Sequence, residues 1–315
     1  MTRGVPRVDD IATAPSGAEL KRLIVEFAQG ASTEIASHDE ALVGQLRAVL
    51  PAGTTVYVAH TPKAQLADVV RLALKVQASG LRACPHIVAR RISDEASLRD
   101  ALKQLSAGGV DRILLVAGDR PEPLGTFHST LEIIDSGATV DCGIRSIGVA
   151  GHPEGHPAIA APLLWEALER KQQFARRTRT ALHIVSQFGF NPLAISEFEQ
   201  ALATRGIDLP VHVGIAGPAP LTKLIKYAMA CGIGASLGAL MRNSNALAGV
   251  TRMATSADEM LLSVVRGRAR AVATRLAKPH FFAFGGVLAT AQWIRAIVDG
   301  AFEVDLAANR LTLST

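Results

Sequence analysis

Four places in this chain combine residue types that do acid–base or ligand-binding chemistry. The first is Glu34, in the short run Ser32-Thr33-Glu34-Ile35-Ala36. Side chains alternate along a strand, so with Ile35 turned to an apolar layer, Glu34 points the other way, into an interior. A carboxyl there loses solvation, its pKa rises, and it can hold a proton near neutral pH as a general acid. A surface glutamate on a frayed strand is the alternative. The second is Asp119 in Ala117-Gly118-Asp119-Arg120-Pro121. Gly118 permits close approach of backbone to a ligand and Pro121 blocks an immediate helix, although a turn or cap aspartate fits the same pattern. The third, Gly151-His152-Pro153-Glu154-Gly155-His156-Pro157, sets two histidines four apart. A metal pair at that spacing needs a helix, which Pro153, Gly155 and Pro157 oppose. These histidines therefore read as hydrogen-bonding partners of a ligand or as loop residues, and no metal is assigned. The fourth is Gln187, closing His183-Ile184-Val185-Ser186-Gln187. Its amide both donates and accepts, which suits the amide edge of a heterocycle or a satisfied place in the core.

Two other signals are weak. Gly232-Ile233-Gly234-Ala235-Ser236-Leu237-Gly238 has the wrong spacing for a dinucleotide loop and follows a helical pattern rather than a strand. Cys84, beside Pro85, reads as a small buried apolar residue rather than a nucleophile.

The elements that position these residues repeat along the chain. Strand-like runs fall at residues 32–36, 55–59, 84–89, 112–117, 146–150, 182–187, 211–216 and 280–284. Amphipathic segments separate most of them. Thr61-Pro62 predicts a cap and first turn for a helix whose stripe is Leu66, Val69, Val70, Ala73, Leu74 and Val76. Ser93-Asp94-Glu95 opens another, which Gly108-Gly109 closes. Alternating strands and helices imply parallel pairing, and eight strands fit a closed (β/α)8 TIM barrel. An extra N-terminal helix opens at Ser16-Gly17-Ala18-Glu19, with Leu20, Leu23, Ile24 and Phe27 on its apolar face. Residues 1–30 thus read as an N-terminal extension and helix, and 31–315 as one catalytic barrel. Residues 232–277 read as helices and an insertion without a strand. Barrel chemistry sits at the C-terminal strand ends, where Asp119, His152 and Gln187 fall.

Composition narrows the classes. The 315 residues are 49% hydrophobic, which excludes a disordered chain. No run approaches the ~18 apolar residues of a membrane span, and the first residues show no signal-peptide core. Three cysteines are too few and too scattered for a disulfide framework. The net charge of +5 includes a basic run at residues 169–179, yet aromatics make up only 4% of the chain. That run reads as a solvated helix end or a local anion site, not a nucleic-acid surface. A soluble, cytoplasmic protein with neither nucleic-acid nor membrane partners is expected.

In order along the chain, Thr33-Glu34, Ala83-Cys84-Pro85-His86, Gly118-Asp119-Arg120-Pro121, Val149 to Pro157, Arg170-Lys171, Ser186-Gln187-Phe188-Gly189-Phe190 and Gly214-Ile215 resemble the methylenetetrahydrofolate reductase family. The resemblance implies a TIM barrel that moves a hydride from NADH or NADPH, through FAD, to 5,10-methylenetetrahydrofolate, in either direction. It makes Glu34 the acid that opens the folate ring, with Asp119 also catalytic and near both flavin and pterin. Gln187, Asp119 and Phe188 would contact the folate. Ala59, His60, His86, Ala117, Gly118, Asp119 and His128 would line one part of the FAD pocket, with His152, His156, Arg170 and Lys171 completing it. The pattern departs from the family at Ile35-Ala36-Ser37-His38 and at Ala59, Ala117 and His152. It departs again at Trp165, where a carboxylate is usual and neighbouring Glu166 could substitute. Alternatives are a flavin-independent reductase of the same family, a metal-dependent barrel lyase or hydrolase on His152, His156 and Asp119, or a binder without turnover. A homo-oligomer is compatible with all of them.

Overall fold

Eight strands pair in chain order and close on themselves, every pairing parallel. This computed structural model describes residues 15–230 and 255–314. Cys231 and the glycine-rich stretch 232–238 lie outside the described residues. The strands are β1 Ser32–Ala36, β2 Thr55–Ala59, β3 Arg82–Val88, β4 Arg112–Val116, β5 Ser146–Gly151, β6 Ala181–Ser186, β7 Val211–Ala216 and β8 Leu276–Phe282. The helices among them are α1 Gly17–Ala28, α2 Val43–Val49, α3 Leu66–Ala78, α4 Glu95–Ala107, α5 Thr130–Asp135, α6 Ala138–Asp141, α7 Ala161–Thr178 and α8 Pro192–Thr204. Beyond β7 come α9 Leu221–Ala230, α10 Thr255–Arg270 and α11 Val287–Val298. Among the described residues no helix is long and apolar enough to cross a membrane.

Most boundaries follow local chemistry. Ser16 Oγ accepts from the Glu19 amide at the start of α1, and Asp94 Oδ1 accepts from Ser97 N at the start of α4. Two expectations are corrected. The helix after β2 starts at Leu66 rather than at Pro62, because residues 61–64 close a turn instead. In that turn Ala64 N donates to Thr61 O, and the His60 ring donates to Ala64 O. Asp68 then caps the helix by accepting from Gln65 N. The last barrel strand starts at Leu276 rather than His280, since Lys278 and Pro279 break its apolar pattern. An antiparallel hairpin, β9 Phe302–Asp305 and β10 Arg310–Leu313, follows α11 and was not anticipated. It packs against α1, where Lys21 pairs with Glu303 at 2.9 Å and lies over the Phe302 ring.

Outward-facing strand residues such as Ile35, Val56, Ile113, Ile147, Val213 and Phe281 join the helices in the main apolar core. The inward face differs from the usual branched aliphatic filling of such barrels. It carries Tyr57, Cys84, His86, His183, His212 and His280. The Tyr57 hydroxyl lies 3.0 Å from His183 Nε2 and 3.4 Å from His212 Nδ1, and the two imidazoles stack at 4.0 Å. One phenol proton serves one ring nitrogen, so the other histidine must donate to the phenol oxygen. Ser32 Oγ hydrogen-bonds His280 Nδ1 at 3.0 Å. Gly148 leaves room for the His183 ring, because a Cβ there would stand 2.9 Å from His183 Nε2. Burial drives His183 and His280 down to about 3 and His86 to about 4, so the cluster is neutral.

Tyr57→Phe keeps the ring and deletes the hydroxyl, stranding ring nitrogens of His183 and His212. Urea unfolding is expected to show a loss of about 1–3 kcal/mol.

Candidate active site

Glu34 shares its face with Ser32 and is paired in register with Tyr57, so it stands inside the C-terminal mouth of the barrel. Burial lifts its carboxyl from 4.5 to about 7, against the opposing hydrogen bond from the Ala283 amide; the Asp39 charge adds a smaller upward push. A group so poised is protonated for much of the time at neutral pH and can give that proton up.

The ends of β2, β3 and β4 form a second part of the site. Asp119 is 72% exposed and accepts from Arg91 Nη2 at 2.6 Å, a bond that holds its carboxyl below the ordinary range. The other arm of Arg91 donates to the His60 carbonyl. Arg90 braces the following loop, donating to the carbonyls of Arg120 and His128. Gly118 adopts φ +95°, and a Cβ there would collide with Val88 at 2.5 Å, so only glycine fits this turn. Between these strands two buried ring nitrogens, His60 Nδ1 and His86 Nε2, have no hydrogen-bond partner. Burial lowers both histidines, so they offer neutral imidazole edges to a ligand.

A cavity of about 500 Å³ lies beside β4 and β5, under α5 and α7. Ala117, His152, Arg170 and Lys171 line it, together with Trp165, Glu166 and an apolar wall including Leu115, Ile159 and Leu164. Arg170 pairs with Asp135 at 2.9 Å. Lys171 is only 7% exposed and has no ion pair among the described residues; burial lowers its ammonium to about 8. His152 falls to about 4, first through burial and then through His156 and Lys171. A buried cation without a counter-charge, facing a cavity, is the electrostatic half of an anion site.

At the opposite side, Gln187 is half-buried and its backbone amide donates to Gly151 O. Phe188 is enclosed by Phe190, Phe282 and Phe284, with centroid distances of 4.7–5.9 Å. It therefore supports the rim, whereas Phe190 and Phe282 remain part-exposed.

Ala117, His152, Arg170 and Lys171 thus meet around one cavity, while Ala59, His60, His86, Gly118 and Asp119 gather at the adjoining strand ends. His156 sits 5.1 Å from His152, ring to ring. His128 is exposed and does not itself line the cavity, although the adjacent Ser129 does; its backbone is fixed between Arg90 and Glu132. Among the described residues no group of three or more His, Cys, Asp or Glu is placed to hold a metal, and Asp119 is bound to Arg91 instead of to the histidines. Sequence reasoning missed Arg90, Arg91 and Phe282. The arginines were legible as a basic pair at a strand end, and Phe282 as an inward position two residues after His280.

The family model for methylenetetrahydrofolate reductase matches residues 43–236, more than half of the chain. This chain belongs to the methylenetetrahydrofolate reductase family. As a methylenetetrahydrofolate reductase relative it is an oxidoreductase of folate metabolism. The matched span holds Asp119, the cavity and Gln187, while Glu34 precedes it. Similar solved structures include dihydropteroate synthase from Thermus thermophilus, 13% identical over 84% of this chain and 91% of that one, with a TM-score of 0.44. Oxaloacetate acetylhydrolase is 12% identical over 90% of this chain and 85% of its own, with a TM-score of 0.46.

Since the native state holds a Glu34 proton that the unfolded chain releases, stability should fall as pH rises from 4.5 through about 7. Glu34→Gln removes this contribution. Its melting temperature relative to the parent is expected to climb across that window, by the equivalent of at most ~3 kcal/mol; a pH-independent difference would show Glu34 to be solvated.

Proposed function

We propose that this protein interconverts 5,10-methylenetetrahydrofolate and 5-methyltetrahydrofolate, using NADH or NADPH and FAD. The observation that carries the reading is Glu34, an inward carboxyl at the catalytic mouth, lifted to about 7. Glu34 protonates a nitrogen of the folate's five-membered ring, opening it to an electrophilic iminium, and recovers the proton when the reaction reverses. Gln187 offers paired donor and acceptor to the pterin edge. Asp119, kept ionised by Arg91, fixes a negative charge beside the reacting rings. Phe190 and Phe282 give the mouth apolar walls that exclude water around the acid.

The cavity and the adjoining strand ends together fit a flavin nucleotide on three counts. Among the described residues Lys171 is a buried cation with no ion pair and His60 and His86 present orphaned ring nitrogens, while the apolar wall suits flat rings. Lys171 and Arg170 would hold the pyrophosphate, with His152 beside them. FAD, when bound, supplies a two-electron relay between the nicotinamide and the folate. A second reading, direct hydride transfer without flavin, is favoured by Ala59, Ala117 and Trp165, which put apolar groups where the family carries polar ones.

Two variants test the reading. Glu34→Gln is expected to lower folate-dependent NAD(P)H oxidation by ~10²-fold or more, while reduction of bound flavin in single-turnover spectra continues. Lys171→Met should weaken FAD binding about tenfold or more, measured by fluorescence quenching. A parent protein that turns over folate but leaves added FAD unbound would select the flavin-free reading.

A further inference from the structure

The far end of the barrel, where the strands begin, also carries charge. Three inward positions there are cationic: Arg82 on β3, Arg112 on β4 and Lys278 on β8. Arg82 and Arg112 stand two residues before the inward-facing Cys84 and Leu114. Lys278 reaches the axis through a bulge. Val211 pairs with Leu276, but His212 pairs with Lys278, so β8 spends an extra residue on one step of β7. Leu276 packs outward in the main core, Ala277 is exposed, and Lys278 turns inward below His280. In unbroken register Ala277 would occupy that inward place. Bulges re-aim side chains in this way.

Charge at this mouth is poorly balanced. Asp111 accepts from Arg112 Nε and Nη2 at 3.2 and 3.1 Å. Neither Arg82 nor Lys278 has an ion pair among the described residues. Burial lowers the Lys278 ammonium, and the charges of Arg112 and Arg82 lower it further. The groups above cannot compensate: burial pushes the Cys84 thiol up to about 12, and His183 and His212 are neutral. Arg82 and Ala181 are exposed at the rim, which leaves an approach from solvent.

We propose that the N-terminal mouth of the barrel is an anion site, in which Arg82, Arg112 and Lys278 bind a phosphate-class oxyanion. The two charges without an ion pair among the described residues match a divalent anion, and guanidinium forks suit its tetrahedral oxygens. The anion is either free phosphate or the phosphoryl group of a metabolite. This site lies at the opposite end of the strands from Glu34 and does not depend on the folate reading.

Thermal melts of the full chain at fixed ionic strength, with inorganic phosphate replacing chloride, provide the test. Phosphate should raise the melting temperature with a saturable dependence. Lys278→Met should raise the phosphate-free melting temperature, by removing a half-buried like charge, and weaken phosphate binding about tenfold or more. Arg82→Gln, at an exposed position, should weaken binding similarly and serves if Lys278→Met does not fold. In a Lys171→Met background, where phosphate binding at the flavin-side cavity is weakened, the part of the response that depends on Arg82 and Lys278 should persist. The proposal is overturned if the parent ignores phosphate, if Arg82→Gln responds as the parent does, or if only Lys171→Met abolishes the response. In a matched titration, equal stabilisation by glycerol 3-phosphate identifies a phosphoryl-group site, and its rejection identifies one for free phosphate.

Discussion

Removal of water from the barrel axis governs the ionisable groups of this protein. Each inward group meets that constraint differently. Glu34 keeps its proton to an unusually high pH. The histidines discard theirs and satisfy part of their hydrogen-bonding through Tyr57 and Ser32. Lys278 and Arg112 lie near the opening, where desolvation is only partial. The axis therefore runs from a cationic entrance, through a neutral polar middle, to an acid at the catalytic end. An aliphatic filling would have been simpler to bury, but it would have offered neither the acid nor the donors around it.

The outer layer makes such an interior tolerable. Ile35, Val56, Ile113, Ile147 and Val213 are completely or nearly completely buried against the helices, so strand positions are fixed by apolar packing rather than by the polar axis. Function then rests on the loops that leave this frame. Arg90 and Arg91 tie the end of β3 to the loop after β4 through both side-chain and backbone bonds. Asp119 is positioned by that brace more than by its own turn.

Much of the fold was legible because strand parity is a local signal. Alternation around Ile35 placed Glu34 inside, and β-branched runs marked β1, β2 and β7 at their observed limits. Lys278 and Pro279 hid the start of β8, since a bulge breaks the alternation that pattern reading depends on. Thr61-Pro62 misled because a local side-chain bond from His60 to the Ala64 carbonyl spends those residues on a turn. The site was legible at Lys171 and His152, whose motifs carry the family resemblance. Arg91 could be seen as half of a basic pair at a strand end, but its pairing with Asp119 could not, because that partner lies 28 positions away. The C-terminal hairpin was also missed: its strands are four residues each, too short for a periodic signal.

That hairpin ties the timing of folding to the whole length of the chain. Lys21 and Glu303 meet across 282 positions, and β1 finds its second neighbour only in β8. During synthesis the leading helix leaves the ribosome long before either partner exists. Until then its apolar face, with Leu20, Ile24 and Phe27, lacks its final cover, so the nascent chain carries an exposed apolar surface until β8 and the hairpin emerge.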